Sequence, residues 1–510
     1  MRAAAQRLRA REAEGSLVRD TDFPWGRLLQ SCAMANLEHY RAVLAPDWEA
    51  WRKSNSSVTP DFTGADFSGK DLSGKDLSRT DLSRARFEGT LLERTNFTRA
   101  VLKDAVFAKV QARGAIFDQA SLDYLDLSDC QFPEARFTNV TARNTTFAGS
   151  DFSGANLEGL RVEGSDLSRA NFSAANLVNA NLRNAKIIGT SFEGANLMNA
   201  SLEGVTFQRG RFSRANLEGA NLGGSDFTEA DFRSARLVGA SLRRSTITGA
   251  DFEAANLERL DADQAVGPAA NFNRAKMGGS RWTKADLRRV HLLDATGEGV
   301  SFAEAKMSDL DFRTSKLTRC SFVGTDFSNS IFRRAILKGH TFASARFVGA
   351  DAAECVAEEV SFARANLTGA NFRQANLKRA DFSFVSAQAA DFSGTLLIGA
   401  NFANADLFDA DFRFARAIGA DFSRAKLKSA DFGNSDLSEA VFKKTKIWGA
   451  TAKKAKIPSS VSFMFSLSSS FSGTKQKQKA ADDAKERERQ KRIQALAVEA
   501  EKRPPHVTGR

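Results

Sequence analysis

Apolar residues recur at every fifth position of this chain from Phe62 to Ile447. The series Phe62, Phe67, Leu72, Leu77, Leu82 and Phe87 runs on without a slip to Phe442 and Ile447. It has 78 members, 62 of them Leu or Phe, so one structural slot is filled again and again. The flanking slots repeat too. Two residues before the apolar centre the chain is small, as at Ala65, Ala85 and Ala155; one before, it is Asp or Asn, as at Asp66, Asn156 and Asn176. Gly recurs two after, as at Gly64, Gly69 and Gly154. A five-residue period fits neither the 3.6 of a helix nor the 2.0 of a strand. It suits a short extended segment followed by a turn, repeated as the chain winds about an axis. The centre and the small residue then face inward. Asp, Asn and the last two residues face solvent or make the turn, which gives them turn hydrogen bonding rather than catalysis.

The units Ala155-Asn156-Leu157-Glu158-Gly159, Ala175-Asn176-Leu177, Ala195-Asn196-Leu197, Ala215-Asn216-Leu217-Glu218-Gly219, Ala365-Asn366-Leu367 and Ala405-Asp406-Leu407 carry a family resemblance. The chain resembles the pentapeptide repeat proteins over about 61–457, more than three quarters of its length. The resemblance implies an all-β fold, a right-handed quadrilateral β-helix in which four pentapeptides make one square coil of 20 residues, with about 20 coils in this chain. On that reading Phe132, Phe152 and Phe172 begin a ladder that ends at Phe272, and Phe302 to Phe442 form another two faces away. Such stacks are packing devices that point inward.

Three domains are expected: 1–60 as an N-terminal helical cap or docking segment, 61–457 as the β-helix, and 458–510 as a Ser-rich capping segment with a basic helix or tail. Arg27–Leu44 has apolar residues at helical spacing, ended by Pro46 and followed by Trp48 and Trp51. A β-helix end exposes unpaired strand, so a cap is needed there. In Ser459–Gly473, alternating Val461, Phe463, Phe465 and Leu467 predict a capping strand, and Lys475–Lys502 a charged helix or tail. Weak centres cluster at 261–270, 294–299 and 351–359, but the frame resumes unshifted after each. They read as loosened coils, with a site there as the alternative.

Composition matters mainly through the frame. Of 41 Phe, 34 occupy it, so 510 residues do not translate into several domains. No run of about 18 apolar residues offers a membrane span. The basic start is followed by no apolar h-region, so a cytoplasmic protein is expected, with secretion by a non-classical route left open. Cys130, Cys320, Cys355 and His340 fall in the small inward slot, and their spacings suit neither a disulfide nor a metal. His291 is outward. No catalytic, cofactor-binding or metal-binding residues are assigned.

The net charge of +12 divides unevenly. The repeat holds 53 basic and 48 acidic groups, and 458–510 holds eleven and six. The basic tail permits only weak contact with nucleic acid or anionic lipid. Some pentapeptide repeat proteins mimic duplex DNA with an acidic surface and protect DNA gyrase. A near-neutral to slightly basic repeat departs from that pattern and disfavours topoisomerase binding. The leading reading is a non-enzymatic rigid scaffold or protein–protein interaction rod; a secreted effector or membrane-associated scaffold is a further class. In some family members a C-terminal helix mediates dimerisation, so the resemblance also implies a homodimer through a terminal segment. The protein partner itself is unidentified. Phe384, Ile398, Phe408, Phe414 and Ile418 lie outside the inward frame and are the candidate partner surface. The alternative is that they cover turns or pack beneath a terminal segment.

Overall fold

In the repeat, each backbone N–H of a five-residue unit has its own destination. Phe62 donates to the Asp81 carbonyl (2.7 Å), Gly64 to Ser83 (2.8 Å) and Ala65 back to Phe62 (2.9 Å). Thr63 donates to the Asp61 carboxylate (2.9 Å). The N–H one residue before a centre turns the other way, as Asp81 does to Pro60 (3.1 Å). Two groups thus bond to the next coil, one to the previous coil, one closes the turn, and one uses an Asp or Asn side chain. The pattern forms parallel single-residue bridges between positions 20 apart, such as Asp151↔Asn171 and Asp391↔Asp411. Every buried backbone group must be paired, and this scheme does so with very short strands.

The computed structural model describes residues 36–470. The expected helical positions before residue 36 and the charged segment over Lys475–Lys502 lie outside the described residues. The described chain forms two compact units, one running to Ile331 and including Gly339–Thr341, the other containing Phe332–Lys338 and the residues from Phe342 onward.

In the first unit, Phe132, Phe152, Phe172, Phe192, Phe212, Phe232, Phe252 and Phe272 stack as expected, with centroids 4.8–5.4 Å apart and planes within 19°. In the second unit, Phe342 to Phe442 stack likewise at 4.8–5.3 Å. A neighbouring stack, Phe372, Phe392, Phe412 and Phe432, meets it edge to face, as in Phe412 against Phe422 at 90°. Offset stacks joined by T-shaped contacts satisfy the ring quadrupole in both directions.

Nearly every turn places the residue two after the centre in the left-handed region. Glycine adopts it readily, as at Gly64 (φ 68°), but so do Arg79 (φ 53°) and Phe414 (φ 62°). An L-residue there costs about 1–2 kcal/mol, which the inter-coil bond from the same N–H helps offset.

Two short helices precede the repeat, α1 (Leu37–Leu44) and α2 (Trp48–Ser54). Asn36 caps α1 by accepting from the N–H groups of Glu38 and His39. The first coil has no coil before it, and these helices replace the missing partners. His39 Nδ1 and Glu49 Oε1 accept from the N–H groups of Asp61 and Asp76 (3.0 and 3.1 Å). The Tyr40 hydroxyl and Trp48 indole donate to the carbonyls of Asp66 and Asp76 (2.7 and 2.9 Å). At the other end, α3 (Ser459–Ser470) occupies the stretch where alternation predicts a strand. Val461 and Phe465 are four apart and share one helix face; both are buried, and Phe465 sets its ring edge-on to Phe432 and Phe442. A helix covers the open ring ladder with two side chains and leaves Ser459, Ser460, Ser462 and Ser466 exposed.

The irregular coils keep their place in the ladder. Asp261 bridges Arg281 and Val266 bridges Asp286. Trp282, wholly buried, lies one coil beyond the small centre Ala262 in the same column. At Gly297 the turn opens into a strand, β1 (Thr296–Glu298), parallel to β2 (Lys316–Thr318). The backbones approach so closely there that a Cβ on Gly297 would lie 2.8 Å from the Gly278 nitrogen.

The slot accepts Leu or Phe but needs bulk. Phe232 stands 4.8 Å from both Phe212 and Phe252. Phe232→Ala is expected to cost roughly 3–5 kcal/mol and Phe232→Leu about 1 kcal/mol, measured by denaturant unfolding of the full chain. Equal losses for the two variants would show that the stack is not what stabilises the coil.

Candidate interaction surface

The outward slots lie one before, one after and two after each centre, and residues 20 apart stack into columns. Charges in these columns are mostly neutralised by neighbours. Arg209 meets Glu229 at 2.8 Å and Arg334 meets Glu354 at 2.7 Å, each one coil apart. Other pairs form within a unit, such as Arg233 with Asp231 (2.7 Å) and Arg313 with Asp311 (2.6 Å). Burial works against ionisation of Asp231, yet the Arg233 hydrogen bonds hold its carboxyl below the ordinary value. Such half-exposed pairs contribute about 0.2–1 kcal/mol each, so their main effect is on surface charge. Asparagines form a ladder of their own, with Asn176 donating to Asn156 and Asn216 to Asn196 at 3.0 Å.

The five apolar residues singled out by the sequence are not brought into one patch. Ile398 and Ile418 share a column and are half-buried. Phe384, Phe408 and Phe414 are exposed at 52%, 40% and 62%, each in a different five-residue unit of the coil and so on a different side. The Arg364 guanidinium lies 5.0 Å over the Phe384 ring. Phe408 has a partner that sequence reasoning missed. The Lys428 ammonium sits 5.7 Å from its ring centre and 4.9 Å from that of Trp448, which is 63% exposed. The signal was the common 20-residue step from 408 to 428 to 448.

Near the start of the repeat, a polar groove of about 660 Å³ runs between α2 and the first coils, lined by Arg52, Ser56, Ser57, Arg79, Arg99 and Asp118. Two of its guanidinium groups are engaged: Arg52 donates to the Ser78 carbonyl (2.9 Å) and Arg99 to Gln119 (2.7 Å).

The inward cysteines and histidine act as small polar core residues. Cys130 donates to the Phe107 carbonyl (2.8 Å), the bond that Thr90 and Thr95 make to Phe67 and Leu72. Burial pushes the Cys130 thiol up to about 11 and those of Cys320 and Cys355 up to about 12. His340 Nδ1 accepts from the Cys320 N–H (3.0 Å), as the Ser330 hydroxyl accepts from Leu310 (3.1 Å). Among the described residues, no group of three or more His, Cys, Asp or Glu is placed to hold a metal ion. Also among these residues, no helix is long and apolar enough to cross a membrane.

Five-residue units, coils of 20 and inward ring stacks together define a pentapeptide repeat solenoid. The family model described as pentapeptide repeats matches in segments from 61–99 to 420–456, more than half of the chain, and a pentapeptide repeat region model matches 92–167. The chain belongs to the pentapeptide repeat family. No curated protein sequence matches it. Among solved structures, a pentapeptide repeat protein from the Arabidopsis thaliana thylakoid lumen is 33% identical, covering 19% of this chain and 67% of its own, with a TM-score of 0.18. QnrB1, a plasmid-mediated fluoroquinolone resistance protein, is 19% identical over 42% of this chain and 93% of its own, TM-score 0.21. HetL of Nostoc sp. strain PCC 7120, involved in heterocyst differentiation regulation, is 18% identical over 58% and 89%, TM-score 0.10. None of these likenesses carries an argument about function.

Burial pulls His340 from an ordinary 6.5 down to about 4, so the folded chain holds it neutral. The unfolded chain then binds the extra proton first, and stability falls as pH drops from about 6.5 toward 4. The expected loss across that window is roughly 3 kcal/mol. His340→Ser, which keeps an acceptor of the kind Ser330 supplies, should remove this part of the pH dependence. Thermal melts of both proteins at pH 7 and pH 4.5 check it; identical acid sensitivity would rule His340 out as its source.

Proposed function

We propose that the chain is a non-enzymatic rigid scaffold for protein–protein interaction. The carrying observation is the destination of its polar chemistry. Inward slots hold rings, Leu and small residues whose hydroxyl and thiol groups bond to backbone, and outward charges are largely paired between coils. That arrangement supports a stiff surface that presents side chains at fixed spacing. In finer terms, we take 61–457 as a right-handed quadrilateral β-helix of about 20 coils. We take 1–60 as its helical cap or docking segment, and 458–510 as a Ser-rich capping segment with a basic helix or tail. The bonds from His39, Tyr40, Trp48 and Glu49 to the first coil support the cap.

The partner in this reading is a protein that reaches around more than one side of the coil to engage the exposed rings of Phe384, Phe408 and Phe414, with Ile398 and Ile418 as flanking contacts. A homodimer through a terminal segment is the secondary arrangement, and the compartment is the cytoplasm. Residues 61–420 hold 44 basic and 44 acidic side chains, which supports a scaffold over an acidic mimic of duplex DNA. Full-length chain immobilised in host extract is expected to retain a defined protein in constant proportion. Phe384→Ser combined with Phe414→Ser should lower that retention roughly tenfold without changing the melting temperature. Retention unaffected by the double variant would remove these rings from the partner surface, and a chain that retains no specific protein would defeat the scaffold reading.

A further inference from the structure

The whole net charge of the repeat sits at one end. Residues 61–420 balance at 44 basic against 44 acidic, whereas 421–456 hold nine basic and four acidic. The final stretch 441–456 has six Lys and no Asp or Glu. At some bridges opposite charges stand side by side, as at Asp166↔Lys186 and Asp286↔Lys306, and at others two carboxylates do, as at Asp231↔Asp251 and Asp391↔Asp411. Here the bridge sets Lys426 beside Lys446. Like charges directly across a ladder are destabilising, but each Asp of such a pair accepts a turn N–H, as Asp231 does from Arg233 and Asp391 from Ser393, whereas a lysine at that position serves no turn. Lys426 reaches Asp406 at 3.4 Å, but among the described residues Arg424, Lys428, Lys443, Lys444 and Lys446 have no carboxylate partner. Trp448 and Val441 stand exposed among them at 63% and 46%.

We propose that the Lys443–Trp448 stretch, which spans two successive units and so two adjoining sides of the coil, docks with Arg424 and Lys428 of the preceding coil on an anionic phospholipid surface. A cluster of cations with no acid among them attracts an anionic surface, and an exposed Trp beside Lys matches the headgroup region of a bilayer. A single-stranded nucleic acid would stack its bases on open ring faces. The Lys428 ammonium already lies over both Phe408 and Trp448, at 5.7 and 4.9 Å, so it occupies one face of each ring. An exposed indole set among cations suits the boundary between headgroups and acyl chains. This docking does not depend on the scaffold reading.

The test is sedimentation of full-length protein with vesicles containing phosphatidylserine, against vesicles of phosphatidylcholine alone. Binding should require phosphatidylserine and weaken with salt. Replacing Lys443, Lys444 and Lys446 together by Gln leaves the basic tail in place. It should weaken binding roughly a hundredfold, at about fivefold per lysine. Bound protein should show a blue shift in tryptophan emission that Trp448→Phe abolishes, with circular dichroism unchanged in every variant. Three results would overturn the proposal: no preference for phosphatidylserine, undiminished binding by the triple variant, or tighter binding of a single-stranded oligonucleotide than of vesicles.

Discussion

The constraint on which everything else rests is that a coil without long strands must still pair every backbone N–H. Four of the five groups in a unit find carbonyls, two on the next coil, one on the previous coil and one within the turn. The fifth, one residue after the centre, finds none and takes the side chain of the residue two before it. That is why Asp61, Asp151 and Asn171 stand where they do: their oxygens accept from Thr63, Ser153 and Ser173 at 2.9–3.1 Å. The Asp and Asn of the repeat are backbone partners first. Their charge is a by-product, and the Arg and Lys in the outward slots answer it.

The core follows from the same geometry. Once coils are held in register, the centres of one column are forced to one ladder spacing. A flat ring tolerates that spacing by stacking, as Phe362 does on Phe382 at 5.1 Å and 2°. Where a centre is too small, a neighbouring coil compensates, as Trp282 lies next to Ala262. Where an N–H cannot close its own turn, a hydroxyl or ring nitrogen from the next coil stands in, as at Ser330 and His340. Irregular units therefore persist without shifting the frame, because each unit is paired to both neighbours through several independent bonds.

Most of the fold was legible because its determinants are local and periodic. The inward slot, the Phe ladders and the turn role of Asp and Asn all follow from one period read along the chain. What the sequence did not yield depends on contacts across coils or at the ends. Val461, Phe463, Phe465 and Leu467 alternate as a strand would, yet an open end of stacked rings is covered more simply by a helix presenting Val461 and Phe465. The exposed apolar residues looked like one group because they are close in number. Their sides of the coil are set by position within 20 residues, which separates Phe384, Phe408 and Phe414. The same step unites Phe408, Lys428 and Trp448, and a charge imbalance averaged over about 400 residues hid its concentration in the last 36.

Several runs of four successive turns lack the Asp or Asn acceptor, and two of them, 101–116 and 441–456, differ in what replaces it. The first fills those positions with Val101, Val106, Gln111 and Ile116, keeps Lys103, Asp104, Lys109, Arg113 and Asp118 on its surface, and stays near neutrality. The last uses Val441, Lys446, Thr451 and Lys456 and adds four more lysines with no acid to balance them. Loss of the turn acceptor is thus tolerated by the fold in either case, since water can reach the exposed N–H. The excess of cations has no such structural origin. A repeat that balances its charges over 61–420 gathers its whole excess over 421–456, and that stretch includes an exposed indole. An Asp at 446 would supply the turn acceptor and face Lys426; the lysine found there, among five others and no acid, is what the proposed anionic surface accounts for.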